Sequence, residues 1–305
     1  AINIIESFFQ SKVLAKYIMY VQVAGNIISA LLKLVFILLK LPLIWFVYSL
    51  LFDAAIIGIG YMLAYWSVKN KITDWRYDGT LAKFLISNSW PLAFSAILGS
   101  LYMKIDQVMI PLYQSTDKLG IYTTVASLSE SWYFIPIAIV GSVFPSIMHA
   151  RNNDTERYHK RLQNMYDLMV VISLSIAVFM TFASKYIYHI IYHKHPEFWP
   201  GAPVLAVHVW AGIFVFLGTA SSQYLIAEGY TKLSMVRTGA GAIVNIILNI
   251  ILLPRYGIMW AAYATLAAYF IATFFVIFIP QTREQGVRMF KSLFLISLLQ
   301  KLIKH

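Results

Sequence analysis

Residues 84–110 read FLISNSWPLAFSAILGSLYMKIDQVMI, and residues 120–147 read GIYTTVASLSESWYFIPIAIVGSVFPSI. Each run is long enough to cross the ~30 Å hydrocarbon core of a bilayer as a helix. Each nevertheless carries ionisable side chains, Lys104 and Asp106 in the first and Glu130 in the second. A charge facing lipid costs about 3 kcal/mol or more, so such groups face a bundle interior or a wet cavity and become candidate functional residues. The rest of the chain reads as the wall of that cavity.

Composition agrees with this reading. Sixty per cent apolar residues, twelve per cent charged residues and a mean hydropathy of +0.70 lie outside the range of soluble globular domains. The expected class is all-α, a polytopic transmembrane bundle. With no cysteine in the chain, disulfides and thiolate chemistry drop out. The net charge of +11 does not point to nucleic acid, because the basic residues sit in short segments between apolar runs, as membrane topology requires.

Apolar runs able to span cover residues 18–39, 43–66, 84–110, 119–147, 165–190, 203–226, 236–253 and 257–279, and a ninth opens near Phe290. Alternating the connections puts Lys12, Lys16, Lys69, Lys71, Arg76, Lys83, Arg151, Arg157, Lys160, Arg161, Lys232, Arg237, Arg283, Arg288 and Lys291 on one side. The other side holds only Lys40, Lys118, Lys185, Lys194 and Arg255. This bias assigns the first side to the cytoplasm. The longest connections, 67–83 and 149–164, are far below the ~50 residues of a small domain, so function lies between the helices.

A weak internal echo sets residues 24–33, AGNIISALLK, against 240–249, AGAIVNIILN. Parallel repeats of this kind build many transporters. The expected organisation is a first segment, 1–82, with the last two helices of one six-helix lobe and a cytoplasmic linker. A second lobe follows over 83–282, and 283–305 starts a further, truncated helix. The chain opens AINIIESFF, without Met or a signal peptide. It therefore reads as a fragment lacking N-terminal helices.

Counting ~1.5 Å per residue from the assigned helix ends puts Lys33, Asp53 and Glu130 near the midplane and Lys104 and Asp106 nearer the outer leaflet, Asp106 almost at its helix end. Cations there suit an anionic headgroup, and a desolvated carboxylate can load and release a coupling ion. The plainer alternative is internal pairing of Lys33 with Asp53 and snorkelling of Lys104 and Asp106 to the interface. Pro91, Pro136 and Pro145 are candidate hinges or static kinks. Asn245 and Asn249, one helical turn apart, either line the cavity or bond a neighbouring helix. His189, His193 and His195 lack a metal-site pattern, and no nucleophile elbow or phosphate loop is present, so neither a metal nor a catalytic residue is expected.

The Lys-Ile-Asp-Gln of 104–107, the Gly-Ile-Tyr of 120–122, Glu130, Pro136, Pro145 and the run from Asn249 to Gly257 with its Pro254 together resemble the polysaccharide transporter family of lipid-linked oligosaccharide flippases, within the multidrug and oligosaccharidyl-lipid exporter superfamily. Trp260, where glycine is usual, and His193-Lys194-His195, where glycine often follows the helix, depart from that pattern and imply looser packing at the outer helix ends. The resemblance implies twelve to fourteen helices in two six-helix lobes around a central cavity. It also implies flipping of an undecaprenyl-diphosphate-linked repeat unit across the bacterial cytoplasmic (inner) membrane by alternating access, for O-antigen, lipopolysaccharide or capsule synthesis. Lys33 and Lys104 would then attract the substrate and Glu130, Asp53 or Asp106 would exchange a coupling ion, proton or sodium. Polysaccharide polymerase and chain-length proteins would be partners, and no other cofactor is expected. A multidrug exporter is the nearest alternative, though its cationic drugs would favour acidic walls without the lysines found here. A membrane polymerase or glycosyltransferase is further off, because the loops are too short.

Overall fold

The computed structural model describes residues 2–12, 14–68 and 75–297. The chain divides into two compact units, Ala1–Lys83 and Phe84–His305. In the first, α2 (Ala15–Leu38) and α3 (Ile44–Ser67) form an antiparallel hairpin. Its turn is tight enough to push Lys40 to a φ of 50°. The short α1 (Ile2–Ser11) lays Ile5 and Phe9 against Val21, Tyr61 and Tyr65 of that hairpin. Most other apolar side chains of α2 and α3 stay exposed, among them Ile27, Leu31, Ile37, Leu50 and Leu51. Helices that are apolar on nearly all faces belong in lipid or against other helices.

α4 (Gly79–Tyr113) runs from the first unit into the second. It bends by 48° between Ser87 and Ser89, one turn before Pro91, whose ring removes a backbone donor and crowds the preceding turn. The second unit continues with α5 (Thr116–Glu130), α6 (Phe134–Asn153), α7 (Thr155–Ile191), α8 (Gly201–His208), α9 (Ala211–Ala227), α10 (Thr231–Tyr256), α11 (Ile258–Phe274) and α12 (Arg283–Leu293). Its core lies where α7 meets α6, α8 and α9, filled by Leu162, Tyr166, Met169, Tyr188, Phe216 and Leu217. Two glycines are needed by geometry. At Gly241 a Cβ would stand 2.7 Å from Ala272 Cβ, so only glycine lets α10 and α11 approach this closely. Gly257, at φ 74°, reverses the chain between them in a region that L side chains avoid.

Among the described residues, seven segments are long and apolar enough to span a membrane, and an eighth if bent α4 counts as one. The expected spans therefore stand, with corrections in detail. The span read at 119–147 is two helices broken at residues 131–133, and that read at 203–226 is α8 and α9 broken at 209–210. Apolarity measures thickness and is blind to where backbone bonds lapse. The supposed connection 149–164 is almost entirely helix: α6 runs to Asn153 and α7 starts at Thr155. Between them, the Asp154 side chain caps α7 by accepting from Arg157 N at 2.9 Å. Polarity here marks helix leaving the bilayer, not loop. Pro136 sits in the first turn of α6, where its missing N–H costs nothing, so it starts a helix instead of hinging one. Pro145 does lie inside α6.

The ninth helix starts at Arg283 instead of Phe290, is amphipathic, and packs on α7. Gln285 Nε2 donates to Tyr166 Oη and Ser221 Oγ at 3.0 Å each. Residues 298–305 lie outside the described ones. Trp260 rests partly exposed on Tyr256 and Tyr263. His193 and His195 follow the end of α7, where His195 Nδ1 lies 2.9 Å from Glu197 Oε1. That contact and the backbone bonds of Glu197 hold the Glu197 carboxyl below the usual range, backbone bonding first.

Candidate functional site

Asp106 lies two turns before the end of α4, because the helix runs on to Tyr113 past the residue where apolarity stops. Instead of snorkelling it is 2% exposed. Three helices supply its partners. Tyr122 Oη of α5 donates to Oδ2 at 2.8 Å. Thr265 Oγ1 of α11 donates to the same oxygen through a short bond. Asn249 Nδ2 of α10 donates to Oδ1 at 2.7 Å. Asn249 Nδ2 also bonds Asn245 Oδ1 at 2.7 Å, and Asn245 Nδ2 donates to Tyr102 O of α4 at 2.9 Å. Asn245 and Asn249 thus bind a neighbouring helix, the second of the two expectations. Asn249 Oδ1 is buried without a hydrogen-bond partner.

A carboxylate with three neutral donors and no cation bonded to it retains an uncompensated charge when ionised. Such a group is stabilised by taking up a proton or a small cation. The oxygen donors around it, Asp106, Thr265, Tyr122, Asn245 and the free Asn249 Oδ1, are of the hard type that suits a proton or an alkali ion and not a soft transition metal. His208 completes the neighbourhood. Its Nδ1 is 2.9 Å from Ser129 Oγ, and its ring meets that of Tyr122 edge-on at 5.8 Å.

Lys104, two residues before Asp106, faces the opposite side of α4 and pairs with Glu130 at 2.7 Å, with side chains 50% and 21% exposed. Glu130 is the last residue of α5, where the helix dipole disfavours a carboxylate. The ammonium of Lys104 offsets that disadvantage. In the first unit Lys33 pairs with Asp53 at 2.7 Å and bonds Ser29 Oγ at 2.8 Å, with Lys33 and Asp53 38% and 23% exposed. The pairing of Lys33 with Asp53, the plainer of the two readings, is therefore present. The five charges form two ion pairs, one in each unit, and one buried carboxylate. The hydrogen bonds to Asp106 make it a different chemical object from the other four.

Three buried polar residues escaped the reading of the sequence. Arg237, counted there as a cytoplasmic charge, lies six residues inside α10 and is 5% exposed. Asp167 on α7 accepts from Gln163 Nε2 at 3.0 Å, from Ser292 Oγ at 2.7 Å and from Ser297 Oγ, tying the segment after α11 to α7. His208 is the third. The available signal was spacing: Gln163 and Asp167 are four apart, as are Ser234 and Thr238, the residues flanking Arg237 on one helix face.

Long apolar helices, close glycine-mediated packing and a polar network buried between four of them define a multi-pass helical membrane protein. The chain belongs to the polysaccharide biosynthesis protein family, whose model matches residues 1–196, and the model of the Lipid II flippase MurJ family matches residues 132–304. The capsular polysaccharide biosynthesis protein CapF of Staphylococcus aureus is 22% identical over 237 residues, 77% of this chain and 58% of CapF. The uncharacterized membrane protein YabM of Bacillus subtilis is 26% identical over 151 residues, 49% of this chain and 28% of YabM. The structure of Lipid II flippase MurJ in an inward closed conformation shares the fold, with a TM-score of 0.56 at 18% identity, over 84% of this chain and 56% of MurJ. The chain thus spans little more than half the length of CapF and of MurJ.

Proposed function

We propose that the protein carrying this chain is a transporter that flips lipid-linked oligosaccharide precursors across the bacterial cytoplasmic membrane for surface polysaccharide synthesis. The observation that carries the reading is the overlap of the two family matches, polysaccharide biosynthesis over 1–196 and lipid flipping over 132–304. Jointly they cover the chain almost end to end. The substrate class is an isoprenoid diphosphate bearing a sugar repeat, handed on at the outer face to polymerase and chain-length proteins. Lys33 and Lys104, each held ready by a carboxylate, attract the anionic headgroup. Asp106 exchanges the coupling ion, because a carboxylate buried with only neutral partners gains most from binding one.

The test is rescue of surface polysaccharide in a flippase-deleted bacterium, with lipid-linked repeat units quantified in each leaflet. Wild type restores polysaccharide. Asp106→Asn keeps the size and most donors' partners but removes the charge, and is expected to trap repeat units in the inner leaflet. Full rescue by Asp106→Asn, Lys104→Ala and Lys33→Ala together would refute the assignment of these residues. Failure of wild type, alongside restored drug resistance, would move the protein to a multidrug exporter.

A further inference from the structure

We propose that Arg237 is the centre of a phosphate-binding site inside the second unit, in a cavity of about 380 Å³ walled by α4, α9, α10 and α11. The guanidinium is buried, and its hydrogen-bond partners among the described residues are all neutral. Nη2 donates to Gly218 O at 3.0 Å and to Ser222 Oγ at 2.5 Å, and Nη1 reaches Ala272 O at 3.5 Å. Its Nε–H is buried with no partner. Among the described residues, none of the ion pairs includes Arg237. Arginine does not deprotonate in proteins, so this charge stands in the interior with no carboxylate among the described residues to match it. Leaving a buried charge uncompensated is strongly unfavourable, and a bound anion is the simplest compensation.

The wall tells which anion. Ser95, Ser234 and Thr238 line the cavity together with Arg237. Ser95 Oγ lies 3.4 Å from Ser234 Oγ and 3.5 Å from Thr238 Oγ1, at the outer limit of hydrogen bonding. The hydroxyls of Ser95 and Ser234 lose little by rotating to donate elsewhere, while Thr238 Oγ1 donates to Ser234 O at 2.8 Å and keeps its oxygen in the wall. A tetrahedral group with several acceptor oxygens can take the free Nε–H and the hydroxyls of Ser95 and Ser234 at once, whereas a planar carboxylate reaches fewer of them. The volume falls within the ~300–1,000 Å³ of small-ligand sites, and Leu92, Phe214, Val215 and Ile226 supply apolar wall beside the polar one. A phosphate carrying hydrocarbon, as in a lipid headgroup, and free phosphate share the recognition chemistry. The site is separate from Asp106 and its partners, and the inference does not depend on the proposed transport.

The test uses the purified chain in a non-ionic maltoside detergent. Thermal unfolding is followed by tryptophan fluorescence against inorganic phosphate, with chloride at matched ionic strength, and native mass spectrometry reads co-purified phospholipid. A saturable rise with phosphate but not chloride identifies a free-anion site. A phospholipid that survives detergent and is displaced by phosphate identifies a headgroup site. In either case Arg237→Gln is expected to weaken binding about tenfold or more, and Arg237→Lys to retain part of it, as loss of a charge-assisted bond predicts. Should Arg237→Gln fail to fold, Ala96→Leu fills the cavity from α4 and leaves the Gly218 and Ser222 bonds of Arg237 in place; it is expected to abolish binding. Equal responses to phosphate and chloride with no bound phospholipid, or unchanged binding in Ala96→Leu, would overturn the proposal.

Discussion

The hairpins α2–α3 and α10–α11 share a sequence register and use it differently. At the echo offset (249 − 33 = 216), Ser29 and Lys33 correspond to Asn245 and Asn249. In both hairpins the two polar side chains bond across one helical turn, at 2.8 Å and 2.7 Å. In both, the echoed glycine meets the following helix: a Cβ at Gly25 would lie 3.2 Å from Ile57 Cγ1, and one at Gly241 2.7 Å from Ala272 Cβ. The outcomes then part. Lys33 reaches a partly exposed carboxylate on its own hairpin, while Asn249 reaches a buried one on a third helix. The lesson is that one crossing geometry can present a polar side chain either as a wet ion pair or as a locked network. What decides is how many further helices surround it.

Removing the locked carboxylate is the strongest way to break this comparison. Asp106→Ala removes the acceptor shared by Tyr122 Oη, Thr265 Oγ1 and Asn249 Nδ2, and at roughly 1 kcal/mol per interhelical bond is expected to cost about 2–4 kcal/mol. Unfolding in detergent measures it. A cost no larger than that of Lys33→Ala would erase the distinction between the two hairpins.

Asn249→Leu comes next. It removes one donor from Asp106 and the bond to Asn245, for about 1–2 kcal/mol, and the same unfolding assay should show coupling with Asp106→Ala in a double-mutant cycle. Additivity would mean the two side chains do not act as a unit. Swapping the chemistry sharpens the point further. Lys33→Ala is expected to cost only about 0–1 kcal/mol and to lose even that at high salt, since both partners are partly solvated. A salt-independent cost would show that the pair is better shielded than its exposure indicates.

The smallest effect is on pH. Arg288, one turn away, bonds Glu284 and holds its carboxyl below the usual range. A depressed carboxylate contributes stability above its ordinary value of ~4.3, and that contribution is lost as pH falls through the lowered one. Glu284→Gln should therefore lower the unfolding free energy by about a few tenths of a kcal/mol at neutral pH and leave it unchanged at strongly acidic pH. A difference that persists in acid would show that Glu284 acts through packing.

Much of this was legible beforehand. The number and length of the spanning runs follow from counting apolar residues, because lipid thickness imposes helix length, and the Lys33–Asp53 pair is one of the two arrangements the sequence leaves open. Asp106 was misplaced at a helix end because the chain turns polar at Gln114 and Ser115, and the helix runs on through Pro111 to Tyr113. Arg237 was misread for a related reason. Positive charge near a span end signals topology on average, and an individual arginine one and a half turns inside can be held by carbonyls of neighbouring helices instead.

By itself, then, the amino-acid order determined the membrane class, the spans, the family and the short set of charges too costly to leave in lipid. Each of these depends on local composition and period, which a bilayer reads one segment at a time. Only the tertiary structure decided which charge meets which partner. Asp106, Tyr122, Asn249 and Thr265 come from four helices and are as far as 159 residues apart, and a one-residue rotation about any helix axis, ~100°, would separate them.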